Sequence, residues 1–154
     1  MTRIISHRGY LDGPDRSIEN NPSQIDLCIE YGFDVEIDVW AIQGALFLGH
    51  DEAKEVIDIS WLNKRVNKLW VHCKNIEALA FFSDIEENFN FFFHQEDDYT
   101  LTSQKFIWAY PEKIITKNSI ALIFKFNRTL IKEAAKDAYG ICTDYPRKIK
   151  SFLN

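Results

Sequence analysis

Cysteine is scarce in this sequence, and the few cysteines present form no binding or disulfide pattern. Cys28, Cys73 and Cys142 are odd in number and widely separated, and no Cys-x-x-Cys pair occurs. This spacing excludes a cysteine-based zinc site and argues against a disulfide framework. We expect three buried thiols in a reducing cytoplasm, since free cysteine is among the most buried residue types.

Long apolar runs and a leader sequence are also lacking. No uninterrupted apolar run approaches the roughly 20 residues of a membrane helix. The residues after Met1 show no basic region, no long apolar stretch and no cleavage site. We therefore expect no stable membrane insertion and a cytoplasmic location.

An excess of positive charge is the third feature that the sequence lacks. The formal net charge is -5, whereas proteins that bind nucleic acid usually present a basic face to the phosphate backbone. We expect no nucleic-acid partner and consider a small-molecule partner instead. Repeats and low-complexity linkers are absent too, so the 154 residues are expected to form one domain, residues 1–154.

Short apolar strands alternate with helices along the chain. Asn21 and Pro22 begin a helix that ends at Gly32, because asparagine caps a helix and proline fits its first position. Asn75 begins another helix, which follows the strand 69–73. The remaining predicted strands cover residues 3–6, 33–40, 45–48, 89–93, 106–109, 120–124 and 141–142, and a last helix covers 130–138.

This alternation predicts a parallel α/β sheet. A (β/α) barrel would bring many strand ends to one mouth, but such barrels typically take about 250 residues. We therefore predict a reduced or distorted TIM-type barrel without full helices between its later strands. An open α/β sheet is the alternative architecture.

Glu36 and Asp38 alternate with Val35, Ile37 and Val39, so the two carboxylates share one face of a strand. An ordinary solvated face would explain such a pair. Parallel strands, however, are usually buried on both faces, and two buried like charges need compensation. A divalent cation would supply it, and oxygen ligands favour Mg²⁺ or Ca²⁺.

Histidines stand at or just after the ends of predicted strands. His7 and His50 flank the carboxylate pair along the chain, and imidazole can act as an acid or a base near neutral pH. His72 and His94 also lie at strand ends, although an isolated histidine is more often structural. Scattered structural histidines would not be expected to share this placement.

Two basic residues accompany these histidines. Arg8 offers a guanidinium suited to a phosphate oxygen, and Lys74 offers a point charge. A surface ion pair for Arg8 and a solvated strand end for Lys74 are the alternatives.

The order of these groups resembles that of the glycerophosphodiester phosphodiesterase family, within the phospholipase C-like phosphodiesterase superfamily. The family pattern reads HRG, a Glu-Asn pair, G-x-D-x-E-x-D-V and HD, followed near the end by a Thr-Asp-x-Pro turn. The matching segments are His7-Arg8-Gly9, Glu19-Asn20, residues 32–39, His50-Asp51 and Thr143-Asp144-Tyr145-Pro146. The match is strong over the first third of the chain, thin in the middle, and returns at the end.

The resemblance implies a TIM-type barrel and a metal-dependent phosphodiesterase acting on a glycerophosphodiester or another small-alcohol phosphodiester. By matching position, His7 and His50 would be the acid/base pair, and Glu36 and Asp38 would be metal ligands. Arg8 would contact the phosphate.

One position departs from the family pattern. The family usually places a third acidic metal ligand two residues before its lysine, where this chain has His72 in front of Lys74. An imidazole there should weaken Mg²⁺ or Ca²⁺ and favour Mn²⁺ or another nitrogen-tolerant metal, or else contact substrate. In the alternative, Glu96 or Asp144 would supply the missing oxygen from another strand end.

The departure leaves three functional hypotheses open. The first is a phosphodiester hydrolase, and the second is a lyase that releases a cyclic phosphate, as sphingomyelinase-D-like relatives do. The third is a phosphate-binding barrel without turnover, which His72 favours and the retention of His7 and His50 opposes. The short chain leaves little room for an insertion over the mouth, so we expect an open site.

Overall fold

The structure is a computed structural model that describes residues 2–154, which form ten strands and five helices. The strands are β1 (Arg3–His7), β2 (Asp34–Ile42), β3 (Ala45–Leu48), β4 (Glu55–Ile57), β5 (Leu69–Cys73), β6 (Asn90–Phe92), β7 (Tyr99–Leu101), β8 (Ile107–Ala109), β9 (Ser119–Ile123) and β10 (Gly140–Thr143). The helices are α1 (Pro22–Glu30), α2 (Ile59–Asn63), α3 (Ile76–Asp84), α4 (Arg128–Asp137) and α5 (Pro146–Leu153).

The centre of the molecule is a parallel sheet with the strand order β6-β5-β2-β1-β10-β9-β8. All seven strands of this path point the same way, so their carboxyl ends lie along one rim. The prediction of a mixed α/β fold is confirmed. The predicted parallel sheet is extended by antiparallel strands, because β3, β4 and β7 pair antiparallel with their neighbours.

The parallel sheet curls around an aromatic interior. Phe92 of β6 and Trp108 of β8 stack with ring centroids 4.6 Å apart, although their strands are the two ends of the path. The turn between β7 and β8 contributes a further contact, since the Ser103 N–H donates to the Phe91 carbonyl at 2.8 Å. Within residues 2–154 no ladder joins β6 to β8. The structure is therefore similar to a TIM-type barrel without a continuous ring of backbone hydrogen bonds.

Two of the helices, α1 and α3, were predictable from their caps. The Asn21 side chain accepts hydrogen bonds from the first N–H groups of α1, and Asn75 accepts one from the Ala78 N–H of α3. Val35, Ile37 and Val39 point outward from β2 into the apolar layer under α1 and α3. Glu36 and Asp38 therefore lie on the opposite face of β2, toward the inside of the curled sheet.

Several short elements were not predicted. β4 and β7 have three residues each, and α2 has five, so none is long enough to show a clear periodicity. α5 begins at Pro146, where the sequence indicated only a turn. The expected loss of helices between later strands is confirmed, because residues 110–118, which connect β8 to β9, contain no helix.

The three cysteines are buried and unpaired. Burial raises the pKa of Cys28 to about 11 and of Cys73 to about 12, so these thiols stay protonated at neutral pH. Among residues 2–154, no helix combines the length and the apolar character needed to cross a membrane.

Candidate active site

The predicted site residues meet at the carboxyl-terminal rim of the parallel sheet. His7 ends β1, Glu36 and Asp38 lie in β2, and His72 lies in β5. The register places His7 beside Glu36 and Asp38 beside His72 in adjacent strands. A cavity of about 410 Å³ opens at this rim and is lined by His7, Arg8, Glu36, His50, His72, Lys74 and His94, with a wall that includes Phe93, Trp108, Tyr110 and Phe124.

His50 reaches the rim by a route that differs from the predicted one. Strand β2 continues past the carboxylates to Ile42, and β3 returns antiparallel beside it, with Leu48 opposite Val39. The Gly49 N–H then donates to the Asp38 carbonyl at 3.2 Å. The hairpin therefore brings His50 back to the Asp38 side chain, whereas the sequence was interpreted as a further parallel strand.

Gly49 is required by the backbone at this return. Its φ is +151°, and an added Cβ would collide with the Glu52 carbonyl oxygen. We expect Gly49→Ala to lower the free energy of unfolding by at least about 2 kcal/mol, through strain and displacement of the His50 loop. Gly44→Ala in the same hairpin is the matched control, because its φ is +82° but no atom lies near its Cβ position.

The control should therefore lose only about 1 kcal/mol, from its left-handed backbone. Thermal or urea unfolding of both variants measures the difference. Equal losses would contradict the close approach at Gly49.

Asp38 is fully buried and is the centre of the site's polar contacts. The Asn20 side chain binds it twice, donating to Oδ2 and accepting from the Asp38 backbone N–H, both at 2.9 Å. Its other partners are His50 Nδ1 at 3.1 Å, His72 Nδ1 at 3.0 Å, Arg8 Nε at 3.4 Å and Lys74 Nζ at 3.5 Å. Burial alone would raise the pKa of Asp38, but its close contacts with His50, His72 and Lys74 hold that pKa well below its usual range.

Glu36 has fewer compensating contacts. It accepts a hydrogen bond from the Arg8 backbone N–H at 3.1 Å, and His7 Nε2 lies 3.9 Å from the same oxygen. Burial, together with the charge of Asp38, raises the pKa of Glu36 to about 8. The solvated-face alternative is therefore wrong, and the buried pair consists of one ionised carboxylate and one that is protonated at neutral pH in the absence of other ligands.

His7 is held by a second carboxylate. Its Nδ1 lies 2.6 Å from Asp144 Oδ1, and its ring packs against Phe124 with centroids 4.8 Å apart. Burial lowers the pKa of His7, although the hydrogen bond to Asp144 opposes the shift. A neutral His7 that donates Nδ1–H to Asp144 keeps Nε2 as a free acceptor on the side of Glu36.

His72 and His94 stack on each other, with ring centroids 4.7 Å apart and planes 12° apart. His94 lies on the cavity wall, and burial lowers its pKa to about 4, so it is neutral at physiological pH. Ligand atoms of Glu36, Asp38 and His72 all lie within 4.8 Å of one another, which is compatible with one shared ion. Asp38 Oδ1 is buried and has no hydrogen-bond donor of good geometry among the described residues. The residues therefore fit a divalent cation.

Arg8 and Lys74 both line the cavity, and both are in contact with other site residues. The Arg8 guanidinium lies 3.1 Å from His50 Nε2 and 3.5 Å from Glu19 Oε2. The Lys74 ammonium lies between Asp38 and His50, at 3.5 Å from each. Both positive charges therefore lie at the cavity beside the buried Asp38 carboxylate.

Two further residues of the predicted set lie apart from the carboxylates. Asp144 binds His7 rather than the Glu36 and Asp38 pair, and Glu96 is exposed and does not line the cavity. Sequence reasoning gave no role to Asn20, which has a φ of +55° and holds Asp38. Its signal was present, because Asn20 belongs to the Glu-Asn pair that supported the family resemblance.

A larger cavity, of about 600 Å³, lies at the opposite end of the strands. It is lined in part by Arg3, Asp34, Lys68 and Lys150, and Arg3 and Lys68 already pair with Asp34 at 2.8 and 3.2 Å. No histidine lines it, so it lacks the acid/base groups found at the rim.

Comparison with known proteins identifies the fold. No protein-family model and no curated protein sequence matches the chain. A solved glycerophosphodiester phosphodiesterase from Agrobacterium tumefaciens is 14% identical, with 98% of this chain and 100% of that chain covered and a TM-score of 0.60. Another, from Parabacteroides distasonis, is 12% identical, with 99% and 96% covered and a TM-score of 0.57. This chain therefore has the fold of the glycerophosphodiester phosphodiesterases over nearly its whole length.

Proposed function

We propose that this protein is a metal-dependent phosphodiesterase that cleaves a glycerophosphodiester or another small-alcohol phosphodiester. The observation that carries the proposal is the placement of His7 and His50 in one cavity, each beside a different buried carboxylate. A pure binding site has no need of two imidazoles placed for proton transfer. The similarity to solved phosphodiesterases supports the same reaction class.

His7 has the properties of the general base. Its Nδ1 is bound to Asp144, its Nε2 faces the cavity side of Glu36, and its lowered pKa keeps it unprotonated at neutral pH. It would take the proton from the attacking hydroxyl, which is either water or a neighbouring hydroxyl of the substrate. A carboxylate behind a catalytic histidine holds the tautomer and stabilises the imidazolium that forms.

His50 would then give a proton from Nε2 to the oxygen that leaves phosphorus. This step requires a protonated imidazolium held by Asp38 at Nδ1 and an Arg8 guanidinium that has turned from Nε2 to the phosphate. Arg8 and Lys74 would neutralise charge on the non-bridging phosphate oxygens, which is the main electrostatic demand of phosphoryl transfer. Glu36 and Asp38 would hold the divalent cation, which, when bound, supplies Lewis-acid stabilisation of the phosphate. The attacking group decides between a hydrolase and a cyclising lyase.

The test is an assay of the purified protein against a panel of glycerophosphodiesters with Mg²⁺, Ca²⁺, Mn²⁺ or EDTA. Turnover that requires added metal and stops with EDTA is the expected result. Turnover that survives EDTA would sink the metal-dependent mechanism. Phosphorus NMR of the products separates a phosphomonoester, as a hydrolase gives, from an accumulating cyclic ester, as a lyase gives.

A phosphate-binding barrel without turnover is the second candidate, and His72 is the feature that favours it. This function predicts that the panel is bound but not cleaved with any of the cations. Calorimetry that detects binding of an intact diester, together with a lack of cleavage products, would establish this binding function.

Asp144→Asn tests the role of Asp144 behind His7. Asp144 raises the pKa of His7 by its hydrogen bond and charge, so its loss should lower that pKa further. Because the pKa of His7 is lowered from its ordinary value of 6.5, we expect the acid limb of the pH profile of kcat/KM below that value and at still lower pH in the variant. The plateau should fall by about 10²-fold or more, since an amide can enforce the wrong tautomer. An unmoved acid limb would show that His7 is not the titrating base.

A further inference from the structure

We propose that His72 supplies its Nδ1 as the third protein ligand of the metal and that this nitrogen makes the site prefer Mn²⁺ or Zn²⁺ over Mg²⁺ and Ca²⁺. The inference rests on the metal site of the proposed function and adds a ligand and a class of ion. His72 stands at the position where the resembling family has an acidic residue, so this property belongs to the present chain.

The position of Nδ1 is the first support. It lies 3.0 Å from Asp38 Oδ1 and 3.8 Å from Glu36 Oε1, so one nitrogen faces both carboxylates at the floor of the cavity. Glu36, Asp38 and His72 also form the one set of three close ligand atoms found among residues 2–154. A single ion can therefore contact all three side chains.

The second support is the way in which the His72 ring is held. Its Nε2 lies 3.4 Å from the His94 backbone carbonyl, which can only accept a hydrogen bond. With the proton on Nε2, the lone pair of neutral His72 is on Nδ1, toward the carboxylates. Metal-binding histidines almost always donate their other N–H to a carbonyl or carboxylate in this way.

Aromatic packing fixes the orientation of the ring further. His72 stacks on Phe92 with centroids 5.1 Å apart and planes 8° apart, and on His94 with centroids 4.7 Å apart. A ring held between two neighbours cannot easily turn Nδ1 away. The site is thus arranged around the nitrogen before an ion arrives.

The third support is Asp38 Oδ1, the oxygen that faces His72. Asp38 Oδ2 is occupied by Asn20 and His50, whereas Oδ1 is buried and has no hydrogen-bond donor of good geometry among residues 2–154; the Lys74 ammonium lies 3.5 Å from it as an ionic neighbour. Buried carboxylate oxygens normally have a partner, and one without a partner needs an explanation. An ion between Oδ1 and Nδ1 would provide it.

The donor set then decides the class of ion. Two carboxylates and a neutral imidazole carry one negative charge fewer than three carboxylates, and Arg8 and Lys74 already place positive charge nearby. Mg²⁺ and Ca²⁺ are hard ions that favour oxygen ligands, while imidazole suits zinc and other first-row transition ions. Mn²⁺ accepts a mixed nitrogen and oxygen set.

The experiment uses the full chain stripped of metal and reloaded with Mn²⁺. Electron spin-echo modulation of the bound Mn²⁺ should show coupling to a directly bound ¹⁴N, and His72→Glu should abolish it. Calorimetric titration with Mn²⁺ and Mg²⁺ measures the preference, which should fall by about tenfold or more in His72→Glu, as expected when a metal ligand is exchanged. His94→Phe keeps the stacked ring and the backbone carbonyl, so the ¹⁴N coupling should persist.

Bound Mn²⁺ without ¹⁴N coupling would overturn the inference, as would coupling that persists in His72→Glu or disappears in His94→Phe. If His72→Glu fails to fold, His72→Asn provides the same test, because it removes the imidazole and retains a neutral polar group. The readouts do not depend on turnover. A ¹⁴N-ligated ion in a protein that cleaves no diester would refute the proposed function alone, whereas metal-dependent turnover without ¹⁴N coupling would refute this inference alone.

Discussion

Replacing His7 with alanine is expected to lower kcat for phosphodiester cleavage by about 10²–10⁴-fold, the usual contribution of a general base. The variant should still fold and bind metal, because His7 lies 3.9 Å from Glu36 and makes its short contact with Asp144 instead. Steady-state kinetics measures the loss, and the thermal shift on adding Mn²⁺ serves as the control. A variant that binds metal normally and loses less than about tenfold in kcat would remove His7 from the base role.

His50→Ala should have an effect of similar size, and the double variant should lose less than the product of the single losses. Residues that act as one catalytic unit are non-additive, because either loss already disables the concerted proton transfer. A substrate with a more acidic leaving group should partly rescue His50→Ala, because its leaving oxygen no longer needs a proton. It should not rescue His7→Ala, because the attacking hydroxyl must still lose its proton. Rescue of His7→Ala instead would reverse the two assignments.

Asp38→Asn and Glu36→Gln should change stability in opposite directions, although both should abolish metal binding. Ionised Asp38 has Arg8, Lys74, His50 and His72 around it, and removing one partner of a buried charge network costs about 3 kcal/mol or more. Glu36 is buried beside Asp38 without equal compensation, and its pKa is raised to about 8. Glu36→Gln should therefore stabilise the metal-free protein by roughly 2–4 kcal/mol at pH 8.5.

The pH dependence separates the two carboxylates. Because the pKa of Glu36 is raised in the folded protein, the stability that its protonated form contributes is fully present below the ordinary pKa of 4.5. This stability is lost as the pH rises through about 8. Because the pKa of Asp38 is lowered in the folded protein, the stability that its ionised form contributes is present above the ordinary pKa of 3.8. This stability is lost as the pH falls toward the lower pKa of the folded state. Urea unfolding in EDTA should thus show the Glu36→Gln gain at pH 8.5 but not at pH 4.

The same measurement should show that the stability lost in Asp38→Asn at neutral pH becomes smaller as the pH falls. Two destabilised variants at pH 8.5 would contradict the assignment of the ionised member of the pair. The comparison is matched, because each variant exchanges one carboxylate for its amide in the same strand.

Glu36 and Asp38 show what could be predicted. Their alternation with Val35, Ile37 and Val39 placed both carboxylates on one face, and the apolar flanks of the strand indicated burial. The caps at Asn21 and Asn75 were equally predictable, because a capping side chain binds N–H groups within a few residues of itself. Such features depend on local periodicity and short-range hydrogen bonds.

His50 and Asp144 were candidate site residues from the sequence, but the contacts they make in the site could not be predicted. His50 stands after a strand in the sequence, but the direction of β3 depends on its pairing with β2 across the hairpin. Asp144 and His7 are 137 residues apart and meet because β10 pairs with β1. Glu96 follows a strand as well, yet it is exposed, since position in the chain does not say which way a loop turns.

By itself, the sequence determined the alternating strands and helices, the buried carboxylate pair and the histidines near strand ends, because these depend on short-range periodicity. Only the tertiary structure decided that Asp38 is the ionised hub and Glu36 the carboxylate with the raised pKa. It also decided that Asp144 lies behind His7 and that Nδ1 of His72 faces the carboxylates. The physical reason is that charge, hydrogen bonding and solvation depend on distances between side chains, and pairing of strands far apart in the chain sets those distances.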